Sequence, residues 1–268
     1  MSLDLLYITN NEKEAIEAEN AGVNIIFIDL EINGKYERQG HLDTVISKHS
    51  LDDIAKIKPL LKKSKILTRI NPLNKKSKEE IEKAIEYGTD IIMLPMFKTK
   101  EEVQTFIKLI NGRTEVYLLL ETSQALCRID DILEVRGIDA IHIGLNDLHL
   151  SLGLDFMFEC LSSGVVEYLI EKIKEKNIKY GIGGIARIGE GELPAEIILG
   201  EHVRLNSEMV ILSRTFKRSD ADLKKGIEDL KKEYNILKHS SVDKLLENKK
   251  NLKDIVQKIS IKRRKNVL

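Results

Sequence analysis

Cysteine, proline and aromatic residues are scarce in this sequence, and each shortage narrows the class of protein. The 268 residues include two cysteines, four prolines, no tryptophan and only 5% aromatic side chains. Two cysteines, Cys127 and Cys160, are too few for a disulfide framework in a chain of this length, and their spacing fits no zinc site. We therefore expect a reducing compartment and a core made mainly of Ile, Leu and Val.

The sequence also has no excess of positive or negative charge and no long apolar run. Lys plus Arg and Asp plus Glu number 43 each, so the formal net charge is zero and neither nucleic acid nor a membrane surface is indicated as a partner. Nowhere do 18 apolar residues follow one another, and no basic segment precedes an apolar run near the start. These features predict a soluble, cytoplasmic protein.

Short apolar runs of strand length recur along the chain, and stretches with apolar residues at helical spacing separate most of them. The runs lie at residues 5–9, 24–30, 65–70, 90–95, 115–121, 140–144, 179–184 and 209–213. Strands that alternate with helices imply a parallel sheet, and nearly continuous apolar strands imply that both faces are covered. An open doubly wound sheet would show the same pattern, but the count of eight favours an α/β fold of the (β/α)8 TIM-barrel type.

Helical patterns continue beyond the eighth run, at residues 220–237 and 242–259, and exceed what an eight-fold barrel needs. Residues 237–268 carry ten basic and three acidic side chains, so the end of the chain is basic. We expect a catalytic barrel domain over residues 1–218 and a helical, basic extension over residues 219–268. Apolar stripes on the extra helices need a cover, which predicts packing across the barrel end or against another subunit of a homo-oligomer.

Two acidic residues, Glu121 and Asp147, follow adjacent strands, the fifth and the sixth. Active sites of such barrels lie at the carboxyl ends of the strands, so both carboxylates are expected on the same rim. Two hard oxygen ligands, with room left for water or a chelating substrate, suit Mg²⁺ or Mn²⁺. The alternative is that each acid caps a helix, since acidic side chains favour first helical turns.

Arg69 ends the third strand, on the same rim as the two carboxylates. Its planar guanidinium stays charged and can hold a carboxylate or a developing enolate oxygen. A structural ion pair with Asp29 or Glu31 explains an arginine here equally well. A Schiff-base mechanism would need a lysine at a strand end, but Lys65 and Lys179 stand where strands begin. The pattern favours metal chemistry over imine chemistry.

Two further segments supply candidate site residues. The glycine-rich stretch at 181–191 includes Gly183 and Gly184, and backbone N–H groups at such places can bind anions, although a tight turn explains the glycines equally well. Arg187, in the same loop, suits a second carboxylate or a phosphate. His41 lies in a long polar insertion after the second strand and is the best histidine candidate for acid–base catalysis, although a lone histidine is more often structural.

These strand-end residues resemble the HpcH/HpaI aldolase and citrate lyase β-subunit family of metal-dependent barrels. The matching segments occur in the family's order over roughly residues 5–216, and E-T after one strand with G-x-N-D-L after the next is the most specific combination. The segments are FIDLE (27–31), TRINP (68–72), YGTDIIMLPM (87–96), LLLET (118–122), DDILEVRGIDAIHIGLNDLHLSLG (130–153) and GIGGIA (181–186).

The resemblance implies roles for individual residues. Glu121 and Asp147 match the family's ligands to Mg²⁺ or Mn²⁺, which chelates a 2-oxo acid, and Arg69 matches the arginine that stabilises the enolate. The substrate carboxylate would be held by backbone N–H groups of Leu145, Asn146 and Asp147. These assignments imply a metal-dependent carbon–carbon lyase. The alternatives are citrate-lyase-like cleavage of an acyl-CoA thioester and a barrel subunit without catalytic activity.

The sequence also departs from the family pattern at three places. The aldolases carry a D-G-E-H motif after the second strand, with the histidine as base, whereas this chain has Asp-Leu-Glu-Ile at residues 29–32. Leu119 replaces the glutamine that the aldolases favour, and Met96 stands where citrate lyase relatives usually have lysine. The aldolase base is thus missing, and the Asp-Leu-Glu form is more similar to the lyase branch. The departures together predict a divergent branch, and they leave the identity of the substrate open.

Overall fold

The computed structural model describes residues 3–32, 48–218 and 222–265, and over these ranges the chain forms a closed barrel of eight parallel strands. Each strand pairs with the next in chain order, and the eighth pairs with the first. The TIM-barrel prediction is thereby confirmed. The strands are β1 (Asp4–Ile8), β2 (Ile25–Asp29), β3 (Lys65–Arg69), β4 (Ile91–Leu94), β5 (Glu115–Leu120), β6 (Ala140–Ile143), β7 (Lys179–Ile185) and β8 (Met209–Leu212).

Helices follow the strands and cover the outside of the barrel. Short 3-10 turns occur at Lys58–Leu60 and Arg214–Lys217. The helices are α1 (Glu12–Asn20), α2 (Leu51–Ile57), α3 (Ser77–Glu86), α4 (Lys100–Ile110), α5 (Ser123–Cys127), α6 (Ile129–Ile132), α7 (Leu145–Ser151), α8 (Glu159–Ser162), α9 (Val165–Glu175), α10 (Ala195–Leu205), α11 (Leu223–Lys238) and α12 (Val242–Lys265). Among the described helices, none combines the length and the apolar character that crossing a membrane requires.

Local sequence explains where a helix such as α4 begins and ends. The Thr99 side chain accepts a hydrogen bond from the Glu102 N–H, and the Glu102 carboxylate accepts one from the Thr99 N–H, so that two unpaired backbone donors are satisfied at the start. Asn111 ends the helix with a left-handed φ of 52°, a conformation that asparagine tolerates better than most residues.

The core has two layers, as expected for this fold. Apolar side chains between strands and helices form the larger layer. The second fills the barrel interior and consists of Leu6, Ile25, Phe27, Leu67, Ile91, Met93, Tyr117, Leu119, Ala140 and Met209. Because the interior is filled below the strand ends, substrate access is expected only at the rims.

The amino-terminal rim is closed by charged side chains from alternate strands, here called the amino-end charge layer: Asp4, Lys65, Glu115 and Lys179. Lys179 Nζ lies 2.5 Å from Asp4 Oδ2, and Lys65 forms an ion pair with Glu115. Together with neighbouring residues they line a cavity of about 440 Å³. Each positive charge in this layer has a negative partner, so the layer needs no ligand for neutrality.

The two described helices after β8 occupy different places in the fold. Helix α11 contacts both α1 and α10, so it occupies the eighth position of the helical ring and is part of the barrel. The prediction that this segment exceeds an eight-fold ring was wrong, because the pattern was counted without knowing which helix follows β8. Of the two described helices after β8, it is α12 that lies outside the ring, and the division of the chain at residue 218 remains a proposal.

Helix α12 packs along its own barrel, against α10 and α8. Its Leu252 and Val256 are buried, and Asn248 Nδ2 donates to the Ile197 carbonyl at 2.9 Å. At its far end, the Arg263 guanidinium lies 4.5 Å from the centre of the Phe156 ring, in the segment that follows α7. The apolar stripe of α12 therefore finds a cover within the same chain.

Candidate active site at the carboxyl ends of the strands

Charged side chains gather at the carboxyl-terminal rim, where Asp29, Glu31, Arg69, Glu121 and Asp147 form what is here called the strand-end cluster. Arg69 lies at its centre: Nε donates to Asp29 Oδ1 at 2.8 Å and Nη2 donates to Asp29 Oδ2 at 2.9 Å. Nη1 lies 3.1 Å from Glu31 Oε2. The ion pairs that the sequence offered as the alternative role of Arg69 are present, and they fix the orientation of the guanidinium.

The pKa of Arg69 follows from these partners. Burial alone would lower the pKa of the guanidinium, but the negative charges of Asp29 and Glu31 outweigh burial and raise it. The guanidinium also lies 5.6 Å from the centre of the Phe27 ring, which closes the barrel beneath it. Arg69 therefore stays positively charged at every physiological pH.

Glu121 is a buried carboxylate directly after β5. Its Oε1 accepts a hydrogen bond from the Met96 N–H at 3.1 Å, and Met96 has a left-handed φ of 55° that places this N–H. Burial, and then the nearby Glu31 carboxylate, raise the pKa of Glu121 well above its ordinary value, while Arg69 opposes the rise. Asp147 raises it further. Glu121 thus lies where negative charge is in excess.

Asp147 belongs to the first turn of α7, which begins directly after β6. Gly144, the residue before α7, lies close to Glu121. A Cβ at this position would be 3.0 Å from Glu121 Oε2. A side chain at this position would press against Glu121 and Leu119, so glycine lets the start of α7 lie close to Glu121. The sequence prediction that Glu121 and Asp147 share one rim agrees with this arrangement.

The donor set fits a divalent cation in its chemistry. Among the described residues of the cluster, Asp29, Glu31 and Glu121 lie near the Arg69 guanidinium, and Asp147 lies near Glu121. Mg²⁺ and Mn²⁺ prefer such oxygen ligands, and a double positive charge would offset the excess. Within the ranges the structure describes, no group of three or more His, Cys, Asp or Glu side chains is arranged as a metal site. A cation held here by fewer than three of the described side chains would need water or substrate in its remaining positions.

Leu145, Asn146, Gly183 and Gly184 lie around the start of α7, next to the cluster. Gly183 has a φ of +42°, and a Cβ there would lie 2.8 Å from Leu145 Cδ1. The β7–β8 register shifts between Gly181 and Gly184, which marks an irregularity in the strand. The glycines thus let β7 pass close under α7, and their predicted role in substrate binding stays a prediction.

Arg187 is directed away from the cluster, and His41 cannot be placed relative to it. Arg187 Nη1 donates to the Asp222 carbonyl at 2.9 Å, and its guanidinium lies 5.8 Å from the centre of the Phe216 ring. The side chain is thereby directed to the start of α11, a contact that gives no support to a role in substrate binding. His41 lies outside the described residues, so its candidacy as a catalytic base stays a prediction.

Two groups near the rim were overlooked in the sequence. His49 Nδ1 accepts a hydrogen bond from the Asp29 N–H at 2.9 Å, although 20 residues separate the two in the chain. Burial lowers the pKa of Lys217, which follows β8, but its Nζ lies over the ring of Tyr7 in the layer between strands and helices. Lys217 is therefore not placed to form an imine in the barrel mouth.

Comparison with known proteins gives a consistent result. The family described as HpcH/HpaI aldolase/citrate lyase matches residues 5–157, more than half of the chain. A curated relative, the hydroxypyruvate/pyruvate aldolase of Rhizorhabdus wittichii, is 29% identical over 144 residues, covering 41% of this chain and 57% of the relative. The chain thus spans little more than half the length of that curated relative.

Solved structures resemble the fold over most of its length. An HpcH/HpaI aldolase from Desulfitobacterium hafniense superposes with a TM-score of 0.60 at 14% identity, covering 90% of this chain and 95% of that chain. An HpcH/HpaI aldolase/citrate lyase family protein from Burkholderia cenocepacia gives a TM-score of 0.63 at 14% identity, covering 88% and 94%. At such low identity these matches show the fold alone.

Proposed function

This chain belongs to the HpcH/HpaI aldolase/citrate lyase family, and from that premise we propose that it is a metal-dependent carbon–carbon lyase acting on a small 2-oxo acid. The observation that carries the proposal is the strand-end cluster. A charged arginine, oriented by Asp29 and Glu31, lies beside the buried carboxylate of Glu121, whose pKa is raised by burial and by neighbouring acids. Perturbed titratable groups in one cluster are typical of catalytic sites.

In this proposal Glu121 and Asp147 hold Mg²⁺ or Mn²⁺. The cation, when bound, would act as a Lewis acid toward the carbonyl oxygen of the 2-oxo acid. Gly144 allows the two acidic residues to approach, and the Met96 N–H orients one oxygen of Glu121. Leu145, Asn146 and Asp147 begin α7, and their backbone N–H groups are suited to hold the carboxylate of the substrate.

Arg69 is the proposed electrostatic partner of the enolate. A guanidinium has five N–H donors, and three of its nitrogens already face Asp29 or Glu31. Nη1 and Nη2 each carry a second N–H, and these fixed donors are available for an oxygen on which negative charge develops. Removing such a donor typically lowers kcat by about two to three orders of magnitude.

The substrate class is tested by measuring pyruvate release from a panel of 4-hydroxy-2-oxo acids and acyl-CoA esters, with and without Mn²⁺. We expect release from at least one 4-hydroxy-2-oxo acid, as the name of the hydroxypyruvate/pyruvate aldolase relative suggests. Cleavage of the acyl-CoA esters alone would establish the citrate-lyase-like alternative, and no release from any compound would contradict the proposal. Borohydride should trap no covalent adduct, because no described lysine lies in the cluster.

Assembly and location also remain proposals. We propose a homo-oligomer. Because α12 buries its apolar residues against its own barrel, there is less reason to expect that subunits exchange this helix. Light scattering of the full chain over a range of concentrations tests the proposal, which a monomer at every concentration would contradict. A cytoplasmic location is proposed from the two unpaired cysteines.

A further inference from the structure

His49 lies just before α2, two residues ahead of Leu51. Its Nδ1 accepts the hydrogen bond of the Asp29 N–H at 2.9 Å. A ring nitrogen that accepts carries no proton, so the neutral imidazole is held as the tautomer protonated on Nε2. The hydrogen bond from the Asp29 N–H therefore fixes the tautomer of this ring and ties it to the end of β2.

The Asp29 N–H needs an acceptor that the barrel itself does not provide. On the β3 side, the N–H of the next residue, Leu30, donates to the Arg69 carbonyl at 2.9 Å, so the Asp29 N–H is directed to the opposite side. There β1 has already ended: its last pairing joins Ile8 to Phe27, and the Thr9 N–H donates to the Phe27 carbonyl. His49 supplies the acceptor at the point where the strand pairing stops.

The backbone beside His49 is anchored independently of this contact. The N–H of the adjacent Ser50 donates to Asp53 Oδ2 at 2.8 Å, and Asn10 Nδ2 donates to the same oxygen at 3.1 Å. Asp53 thus joins the start of α2 to the segment that follows β1. The backbone next to His49 is therefore held by hydrogen bonds that involve no residue of the strand-end cluster.

Asp29 connects His49 to Arg69. Its two carboxylate oxygens accept hydrogen bonds from Nε and Nη2 of Arg69. Oδ1 also accepts a hydrogen bond from the Glu31 N–H at 3.2 Å. A shift of the Asp29 backbone would therefore displace both acidic partners of the guanidinium. We propose that His49 is a positioning residue that holds the end of β2 so that Asp29 and Glu31 orient Arg69. This inference rests on the proposed function in one respect, the catalytic role assigned to Arg69.

The test compares His49→Asn with His49→Gln. Asparagine can place its side-chain oxygen near the position of Nδ1 and keep the bond to the Asp29 N–H, whereas the longer glutamine side chain mimics Nε2. We expect His49→Asn to retain kcat and His49→Gln to lower it about tenfold to a hundredfold, as for other displaced orienting groups, with a smaller change in KM. His239→Gln, at an exposed histidine on the end of α11, is the matched control.

A second measurement ties the effect to Arg69. In an Arg69→Lys background the fork is already lost, so His49→Gln should lower kcat much less than it does in the wild-type chain. An undiminished loss in that background would show that His49 acts elsewhere and would overturn the proposal. A lower kcat in His49→Asn together with a normal kcat in His49→Gln would assign the role to Nε2 instead of Nδ1. Reduced stability with unchanged kcat in both variants would leave His49 only a structural role. Either result overturns it.

A third measurement does not depend on activity. In NMR spectra, the Asp29 amide should lose protection from hydrogen exchange and the Arg69 Nε–H signal should shift in His49→Gln, while both stay unchanged in His49→Asn. If the wild-type chain releases no pyruvate from any substrate, the proposed function fails while these signals still test the link. Unchanged signals in His49→Gln would refute the link itself.

Discussion

The two ends of the barrel handle charge in opposite ways. At the amino end, Lys65 pairs with Glu115 and Lys179 with Asp4, and the Lys65–Glu115 side chains remain 51% and 38% exposed. At the carboxyl end, the described strand-end cluster contains one basic side chain, Arg69, and four acidic ones: Asp29, Glu31, Glu121 and Asp147. Glu121 is only 3% exposed. Within the part of the chain that the structure describes, the ion pairs at the amino end are balanced and partly exposed, whereas the carboxyl-end cluster is buried and contains more acidic than basic side chains.

The difference indicates which end was shaped for a ligand. Balanced, half-exposed pairs contribute little free energy and create no demand for a further ion. A buried carboxylate without full compensation costs stability, and it persists where a bound group or a reaction uses it.

Removing divalent cations should have the largest effect. We expect pyruvate release to disappear in EDTA and to return when Mg²⁺ or Mn²⁺ is added in excess. The cation should also raise the melting temperature, since a ligand at 100 times its Kd stabilises the folded state by about 2.7 kcal/mol. Full activity in the chelator would show that the carboxyl-end cluster does not need a metal.

Glu121→Gln should separate activity from stability. Loss of a proposed ligand should lower kcat/KM by about two orders of magnitude or more. Because the pKa of Glu121 is raised in the folded state, ionisation of this group at neutral pH opposes folding, and the stabilising protonated form is lost as pH rises. The neutral amide should therefore raise the melting temperature of the cation-free protein at pH 7. An unchanged or lower value would contradict the excess of negative charge.

Arg69→Lys should lower kcat about tenfold to a hundredfold without unfolding the protein, because a point charge cannot replace the fork held by Asp29 and Glu31. Steady-state kinetics and circular dichroism measure the two effects. Arg113→Lys is the control, since Arg113 forms a comparable fork with Glu82 on the surface. Wild-type turnover in Arg69→Lys would return Arg69 to a purely structural role.

Acid should destabilise the protein through two fully buried histidines, His142 and His202. Burial lowers the pKa of His142 to about 4 and that of His202 to about 3. Both groups fold in the neutral form, so their contribution is complete above the ordinary pKa of 6.5 and is lost as pH falls from there through about 4 and about 3.

His202→Leu tests this contribution. Neither ring nitrogen of His202 has a hydrogen-bond partner within the part of the chain that the structure describes, so leucine removes a buried base at little other cost. We expect the acid unfolding midpoint, followed by circular dichroism, to move to lower pH. His239→Leu, at an exposed histidine, should leave the midpoint unchanged. A His202→Leu midpoint equal to that of the wild type would refute the assignment.

Glu115→Gln at the amino end should have the smallest effect. An exposed ion pair contributes roughly 0–1 kcal/mol, so stability should fall by no more than that and kcat should not change. Thermal unfolding and the pyruvate assay check both values. A loss of activity comparable to that of Glu121→Gln would abolish the contrast between the two ends of the barrel.

Much of the fold and part of the cluster followed from the sequence because they depend on local patterns. A strand covered on both faces must be apolar, so the eight runs and their helical spacers predicted the barrel, and a polar residue that ends such a run must lie on the rim. Arg69, Glu121 and Asp147 were predicted in this way, and the structure places all three in one cluster.

Other features were decided only in three dimensions. The bond from the Asp29 N–H to His49 spans an insertion whose path no local pattern reveals, and Arg187 is directed to α11 by contacts with distant residues. The apolar stripe of α11 could be read from the sequence, but its place between α1 and α10 could not. Periodicity reports that a face must be buried, whereas the partner that buries it is chosen by the packing of the whole chain.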